Sequence, residues 1–494
     1  MPKKVIVIGG GVGGLSGAIR LAQMGYKVDL YEKNRTLGGK MGQISFNGYT
    51  FDTGPTLLTM PFVLDDLFQF TGNKMSDYIE LLPVEPVCRY FYNNMKPFDA
   101  SSNMQIMQNN IECSFSDSPK NYNRFIKYAE RIYKKTSSIF IFSPIHEIRK
   151  NMTWKHIIRL LTIYQIDPFR TVHQSVKRFF NDTRLIQIFD RYSTYNGSDP
   201  YRAPATLNII PYVELGLGGY YIKGGLYQLI KVFITIAKKM NINLHTEKKI
   251  DKILHNKHRI KGVMIDGEKM DTDILLCNND VVCSFNDLID GFPKIKEKLN
   301  RLEPSLSGVI FYWGIKQQFP KLKQHNIIFS QNYKKEFKQI FQDLKIPDDP
   351  TIYIAISSKS DQTHAPHGCE NWFVMINAPY LSNNQKWDKS TTDRIRRTII
   401  KKLKNNGIDI EGKINCEKIM TPIDIENQFF SNRGSIYGIS SNTMNSAFKR
   451  PPNRSRQLHG LYFAGSSSHP GGGVPMCILS GKIAAELINQ YESN

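Results

Sequence analysis

Apolar, glycine and polar positions in the first 32 residues follow an order that predicts strand, turn, helix and strand. They read KVIVI, then GGGVGG, then a helix ending near Met24 with Gly25 as its stop, then KVDLYE. This is a βαβ unit. From Asn121 to Lys135, Phe125, Tyr128, Ala129 and Ile132 recur at helical spacing, and Trp154, Ile157, Ile158, Leu161 and Tyr164 do the same, predicting two amphipathic helices. Between about Asn241 and Asn279 the pattern shortens to strands with turns, and Asp266 and Gly267 mark a hairpin. The segments GVIFYWGI (Gly308 to Ile315), TIYIAIS (Thr351 to Ser357) and NWFVMINA (Asn371 to Ala378) are rich in aromatic and β-branched residues and predict a second sheet. Near the end come a strand, Leu461 to Ala464, a loop of glycine and proline, and a helix from about Val474.

A length of 494 residues favours two interleaved domains over one. The formal net charge of +21 is spread along the chain and favours anionic partners. No helix-turn-helix, RNP motif or basic tail accompanies it, so nucleic acid is not the expected partner. The apolar run from Val5 to Met24 is broken by glycines and by Arg20, with no small-residue cleavage site, which argues against a signal peptide. No stretch supplies the roughly 18 uninterrupted apolar residues of a spanning helix. The seven cysteines are scattered without a CxxC pair, so free thiols in a reducing compartment and no zinc are expected.

Gly9, Gly11 and Gly14 fit GxGxxG between the predicted strand and helix. The first glycine permits the tight turn, the second lets backbone approach a pyrophosphate at the helix N-terminus, and the third allows helix and strand to pack closely. Glu32 ends the second strand, where a carboxylate can accept hydrogen bonds from a ribose diol. Gly471, Gly472 and Gly473 repeat the arrangement, offering unobstructed NH groups where the last helix starts.

Just after Glu32, Arg35, Gly38 and Gly39 resemble the RxxGG extension of the flavoprotein superfamily that contains amine oxidases, protoporphyrinogen oxidase and carotenoid desaturases. The resemblance implies FAD as cofactor. It places Gly13, Lys33 and Lys40 in the same cofactor-lining segments, the backbone of Ile250 near the adenine, and Gly465, Gly473, Val474 and Pro475 beside the isoalloxazine and ribityl. With GGYYIKGGLYQLI, HNIIFS, GCENWFVMINAP and GSIYGISSNTMNSAFKRPPNRS, nearly the whole chain resembles bacterial-type carotenoid (phytoene) desaturases, most closely the 1-hydroxycarotenoid 3,4-desaturase branch. The implied fold is α/β. A Rossmann-like FAD-binding domain (1–75, 205–290 and 430–494) is interleaved with an α+β substrate- and membrane-binding domain (76–204 and 291–429).

The implied reaction is desaturation of a lipophilic carotenoid: hydride passes from an allylic carbon to the flavin and a proton leaves the neighbouring carbon, with quinone or oxygen as final acceptor. His469, in the flavin-side loop, is the candidate general base. A lipid-borne substrate implies a peripheral protein at the inner face of the cell membrane. The run Ile139 to Arg191, where IFIF, Trp154, Phe179 and Phe180 interleave with Arg149, Lys150, Lys155, Arg159, Lys177, Arg178 and Arg184, is the candidate surface for anionic lipid. Phytoene or diapophytoene desaturation, carotenoid isomerisation or oxygenation, and non-redox isoprenoid binding of the Rab-escort kind are the competing readings.

Overall fold

The computed structural model describes residues 2–92, 95–147, 166–383, 385–443 and 449–493. The opening βαβ unit forms as its pattern predicts: β1 (Lys4–Ile8), α1 (Val12–Gln23) and β2 (Lys27–Tyr31), with Gly25 just past the helix in the left-handed region. Three further parallel strands join them, β3 (Asn243–His245), β4 (Ile274–Cys277) and β5 (Leu461–Phe463), in the order β5-β4-β1-β2-β3. Central β1 is apolar and buried after Lys4, as a parallel strand covered on both faces must be. The last helix, α2 (Val474–Glu492), packs on α1, and the Ser16 hydroxyl donates to the Ile478 carbonyl at 3.0 Å.

The five strands come from the stretches 1–75, 205–290 and 430–494. Those of a seven-stranded mixed sheet come from 76–204 and 291–429, in the spatial order Ile414–Met420, Ser307–Ile315, Glu370–Ala378, Ile352–Ala355, His325–Ile328, Cys88–Phe91, Phe98–Ala100. The long strand Ser307–Ile315, second from one edge, is buried at every position and pairs antiparallel on both sides. Leu81–Pro83 pairs with Tyr220–Ile222 and ties the two sets of segments together.

The predicted hairpin turns at Asp266 and Gly267, both at positive φ, between Ile260–Ile265 and Glu268–Asp271. The helix predicted over 121–135 spans Pro119–Thr136. The helix predicted from Trp154 to Tyr164 lies outside the described residues.

Candidate active site

β1, β2 and β4 deliver their C-terminal ends to one side of the parallel sheet, where an open α/β sheet binds its ligands. A cavity of about 420 Å³ opens there and continues over the mixed sheet. Its two lobes differ in chemistry.

The first lobe is built from backbone. The chain leaves β1 through Gly9 and Gly11, which line the cavity, and enters α1, whose first turn has no side-chain cap and no acidic residue. A helix start of this kind offers backbone NH groups to an anion. A Cβ at Gly13 would stand 2.9 Å from the Gly465 nitrogen, so the two terminal motifs meet here backbone to backbone. Gly14 does not line the cavity: a Cβ there would come within 2.1 Å of the Gly9 carbonyl oxygen, so it serves helix-strand packing. The N-terminus of α2 reaches the same space through Gly473, Val474 and Pro475, again without a side-chain cap.

Glu32 is buried at the cavity wall. One carboxylate oxygen accepts from the Gly10 NH at 2.8 Å, and the other from the Asn34 NH and side-chain amide at 2.9 and 2.8 Å. A carboxylate offers about four acceptor positions, so one remains for a sugar hydroxyl.

Lys33, Gly38, Gly39, Lys40 and Ile250 line the cavity as well. Arg35 does not; its side chain is exposed on the loop, and the basic group that reaches the cavity from this segment is Lys40. The Lys40 ammonium donates to the Ser431 hydroxyl and to the Ser435 and Ile436 carbonyls at 2.9, 3.0 and 2.7 Å. Burial pulls it down to about 8, against the opposing field of Asp280. Burial also pushes the Asp280 carboxyl up, while the Lys40 charge holds it back.

Two residues outside the glycine motifs hold this lobe together. Asn278, directly after β4, donates to the Gly9 carbonyl at 3.3 Å and lines the cavity. Its place at a strand's C-terminal end beside β1 was the available signal. Arg450, buried, donates to the carbonyls of Ser466 at 2.7 Å and Ile439 at 2.9 Å and so fixes the loop after β5.

His469 is not at the cavity. Its ring is buried behind the loop, Nε2 donates to the Ser143 carbonyl at 2.8 Å, and burial pulls the imidazole down to about 3. The structure thus gives the ring the place of a neutral donor to that carbonyl, away from the cavity where the general-base expectation puts it.

The second lobe is apolar and was not legible as a site. Met420, Ile310, Met375, Tyr353 and Ile327 stand opposite one another in register on five successive strands of the mixed sheet, and all five line the cavity. At the ~4.8 Å spacing of neighbouring strands this single cross-strand row makes a floor about 19 Å long. Phe373 and Asn377, two residues either side of Met375 on one strand, share its face and line the cavity beside it.

The model of the flavin-containing amine oxidoreductases matches residues 12–489. The chain belongs to that family. Among curated proteins it is 38% identical to a 1-hydroxycarotenoid 3,4-desaturase of Flavobacterium sp. (strain P99-3), over 98% of this chain and 99% of the relative. It is 34% identical to a 4,4'-diaponeurosporene oxygenase of Staphylococcus haemolyticus, over 99% and 98%. Among solved structures, cyclohexylamine oxidase from Brevibacterium oxydans superposes with a TM-score of 0.62 at 14% identity, covering 100% of both chains.

This family member is an FAD-dependent oxidoreductase, and the first lobe fits the cofactor. Two uncapped helix N-termini face one cavity, Glu32 retains a free acceptor position, and the Cβ position of Gly473 opens onto empty space. Gly9, Gly11, Gly13, Gly38 and Gly39 would carry the diphosphate end, Glu32 the ribose, and Gly465 with Gly473 to Pro475 the ring end.

Proposed function

We propose that the protein desaturates a carotenoid, and that its substrate is a 1-hydroxycarotenoid oxidised at C3 and C4. The observation that carries this reading is the in-register apolar floor from Met420 to Ile327, open to the same cavity as the cofactor lobe. An elongated hydrocarbon suits it; a compact polar amine does not. The 1-hydroxycarotenoid 3,4-desaturase, at 38% identity, supports the finer substrate assignment.

Bound in the glycine-lined lobe, oxidised FAD supplies a two-electron, hydride-accepting centre. The protein's part is to hold the chain and exclude water. Ile310, Met375 and Ile327 offer no polar atoms beyond thioether sulfur, so an allylic carbon laid against them is desolvated, and charge left by hydride loss is spread along the polyene. The CH–CH unit becomes C=C, with one proton released from the neighbouring carbon. Quinone or oxygen would accept the electrons in turn.

We assign the segments 1–75, 205–290 and 430–494 to FAD and the rest to the substrate, with the protein peripheral at the inner face of the cell membrane. Among the described residues no helix is long and apolar enough to cross a membrane. Of the expected lipid-facing run, Arg149, Lys150, Trp154, Lys155 and Arg159 lie outside the described residues. Phe179 and Phe180 pack inward on Phe125, at 5.5 and 5.4 Å between ring centres. A better contact face is the helix Pro61–Phe70, which follows the cavity residues Pro55, Thr56, Leu57 and Thr59 and exposes Phe62 and Phe70.

The deciding experiment incubates FAD-loaded protein with liposomes holding a carotene or its 1-hydroxy derivative. Loss of two hydrogens and a longer-wavelength chromophore are expected from the hydroxylated substrate. The oxygenase relative favours one second reading, and addition of oxygen to the product would establish it instead.

A further inference from the structure

The row that floors the apolar lobe continues beyond Ile327. Its next in-register neighbour is Tyr90, fully buried, whose hydroxyl accepts a 2.8 Å hydrogen bond from Arg191 Nη2. The Arg191 guanidinium lies over the rings of Tyr192, Tyr195 and Tyr90 at 4.4, 5.2 and 5.5 Å. An apolar trough thus ends at a buried cation.

The charge itself is met. Arg191 Nη2 pairs with buried Glu214 at 3.3 Å, and Glu214 also accepts from the hydroxyls of Tyr192, at 2.9 Å, and Tyr195. What is not met is Arg191 Nε, which is buried without a partner among the described residues. The Tyr333 hydroxyl is likewise buried without one. Tyr333 stands edge-on to Phe329 at 5.6 Å, and Phe329 stacks on Tyr90 at 5.6 Å, so both orphaned groups sit on one aromatic cluster. Both Arg191 and Tyr333 line the cavity. The neighbouring Tyr353 shows the contrast, since its hydroxyl is engaged by His325 Nδ1 at 2.7 Å and Thr56 Oγ1 at 2.5 Å.

Leaving a buried polar group unpaired costs about 1–3 kcal/mol, so two in one trough mark a place where a guest supplies the partner. We infer that Arg191 and Tyr333 grip a hydroxyl group at the end of an otherwise hydrocarbon substrate. Guanidinium Nε can only donate, whereas a phenol both donates and accepts. An alcohol completes the set: its oxygen accepts from Nε and its proton goes to the Tyr333 oxygen. A hydrocarbon end would leave both unpaired, and a site built to bind an OH rejects the analogue that lacks it. This inference rests on the polyene reading above and names the residues that would make the substrate's oxygen count.

The test uses the FAD-loaded full chain and two polyenes with the same chromophore in detergent micelles, one ending in a tertiary alcohol and the other in the parent hydrocarbon. Binding is read by quenching of tryptophan emission, and turnover is read separately. The wild type should bind the alcohol at least about tenfold more tightly, and Tyr333→Phe and Arg191→Lys should each erase most of that ratio. Equal binding of both polyenes by the wild type overturns the inference, as does an unchanged ratio in the two variants. Should Tyr333→Phe not fold, Arg191→Lys and the wild-type comparison still decide. Preferential binding of the alcohol without desaturation of either polyene leaves the recognition site standing and removes the proposed reaction.

Discussion

Gly13 and Gly465 come from opposite ends of the chain, yet a Cβ on Gly13 would stand 2.9 Å from the Gly465 nitrogen and 3.0 Å from its Cα. Backbone cannot retreat as a flexible side chain can. Gly13→Ala should therefore push the loop after β5 off the N-terminus of α1, at an overpacking cost of about 1–3 kcal/mol. The expected outcome is protein that folds with a lowered Tm and loses most of its flavin on desalting, read from visible absorbance per chain.

Glu32 makes its bonds to the Gly10 NH and to Asn34 with both carboxylate oxygens, so Glu32→Gln turns one acceptor into a donor facing a donor. Hydrogen bonds to charged groups contribute about 1.5–3 kcal/mol, so FAD affinity should fall about ten- to a hundredfold with the fold intact. Titration of flavin-stripped protein with FAD checks this. Equal affinity in the variant would place the ribose elsewhere.

The two lobes differ in how far the sequence revealed them, and the reason is physical. Gly9, Gly11, Glu32 and Gly473 act through backbone conformation and local turns, so short motifs carry them. A loop's direction is set by tertiary packing and is not written in its motif: the chain turns Lys40 toward the cavity and leaves Arg35 exposed. Met420, Ile310, Met375, Tyr353 and Ile327 are unremarkable one at a time, and only strand register aligns them. Register between distant strands is not written in any one of them. Arg191, in the short helix Arg191–Asn196, was hidden for the same reason, because its partners Tyr90 and Glu214 lie far from it in sequence.

The helix Pro61–Phe70 offers a direct test of lipid contact. Phe62 is 46% and Phe70 37% exposed, and burying one phenylalanine side chain is worth about 1.5–3 kcal/mol. Phe62→Ser with Phe70→Ser should cut co-sedimentation with anionic liposomes at least about tenfold, while flavin content stays at the wild-type level. High salt should weaken the wild type further if basic residues share the contact. Unchanged sedimentation would move the contact face elsewhere.

His469 links acid stability to the question of the base. Its folded value of about 3 lies below the ordinary imidazole value near 6.5, so between these limits the unfolded chain binds a proton that the folded one refuses. Stability must then fall as pH falls through that window, by about 1.4 kcal/mol per pH unit for this group. The causes are burial first, then the nearby positive fields of His146 and Arg450, opposed by the bond to the Ser143 carbonyl. His325, also held near 3 by burial, contributes a parallel loss. His469→Gln keeps a donor for Ser143 but cannot take up the proton, so its unfolding free energy should decline less steeply from pH 6.5 toward 3 than that of the wild type, as urea titrations would show. Turnover at neutral pH should persist in the same variant, because the ring does not reach the cavity. A loss of a hundredfold or more, the scale on which general bases act, would return His469 to the chemistry.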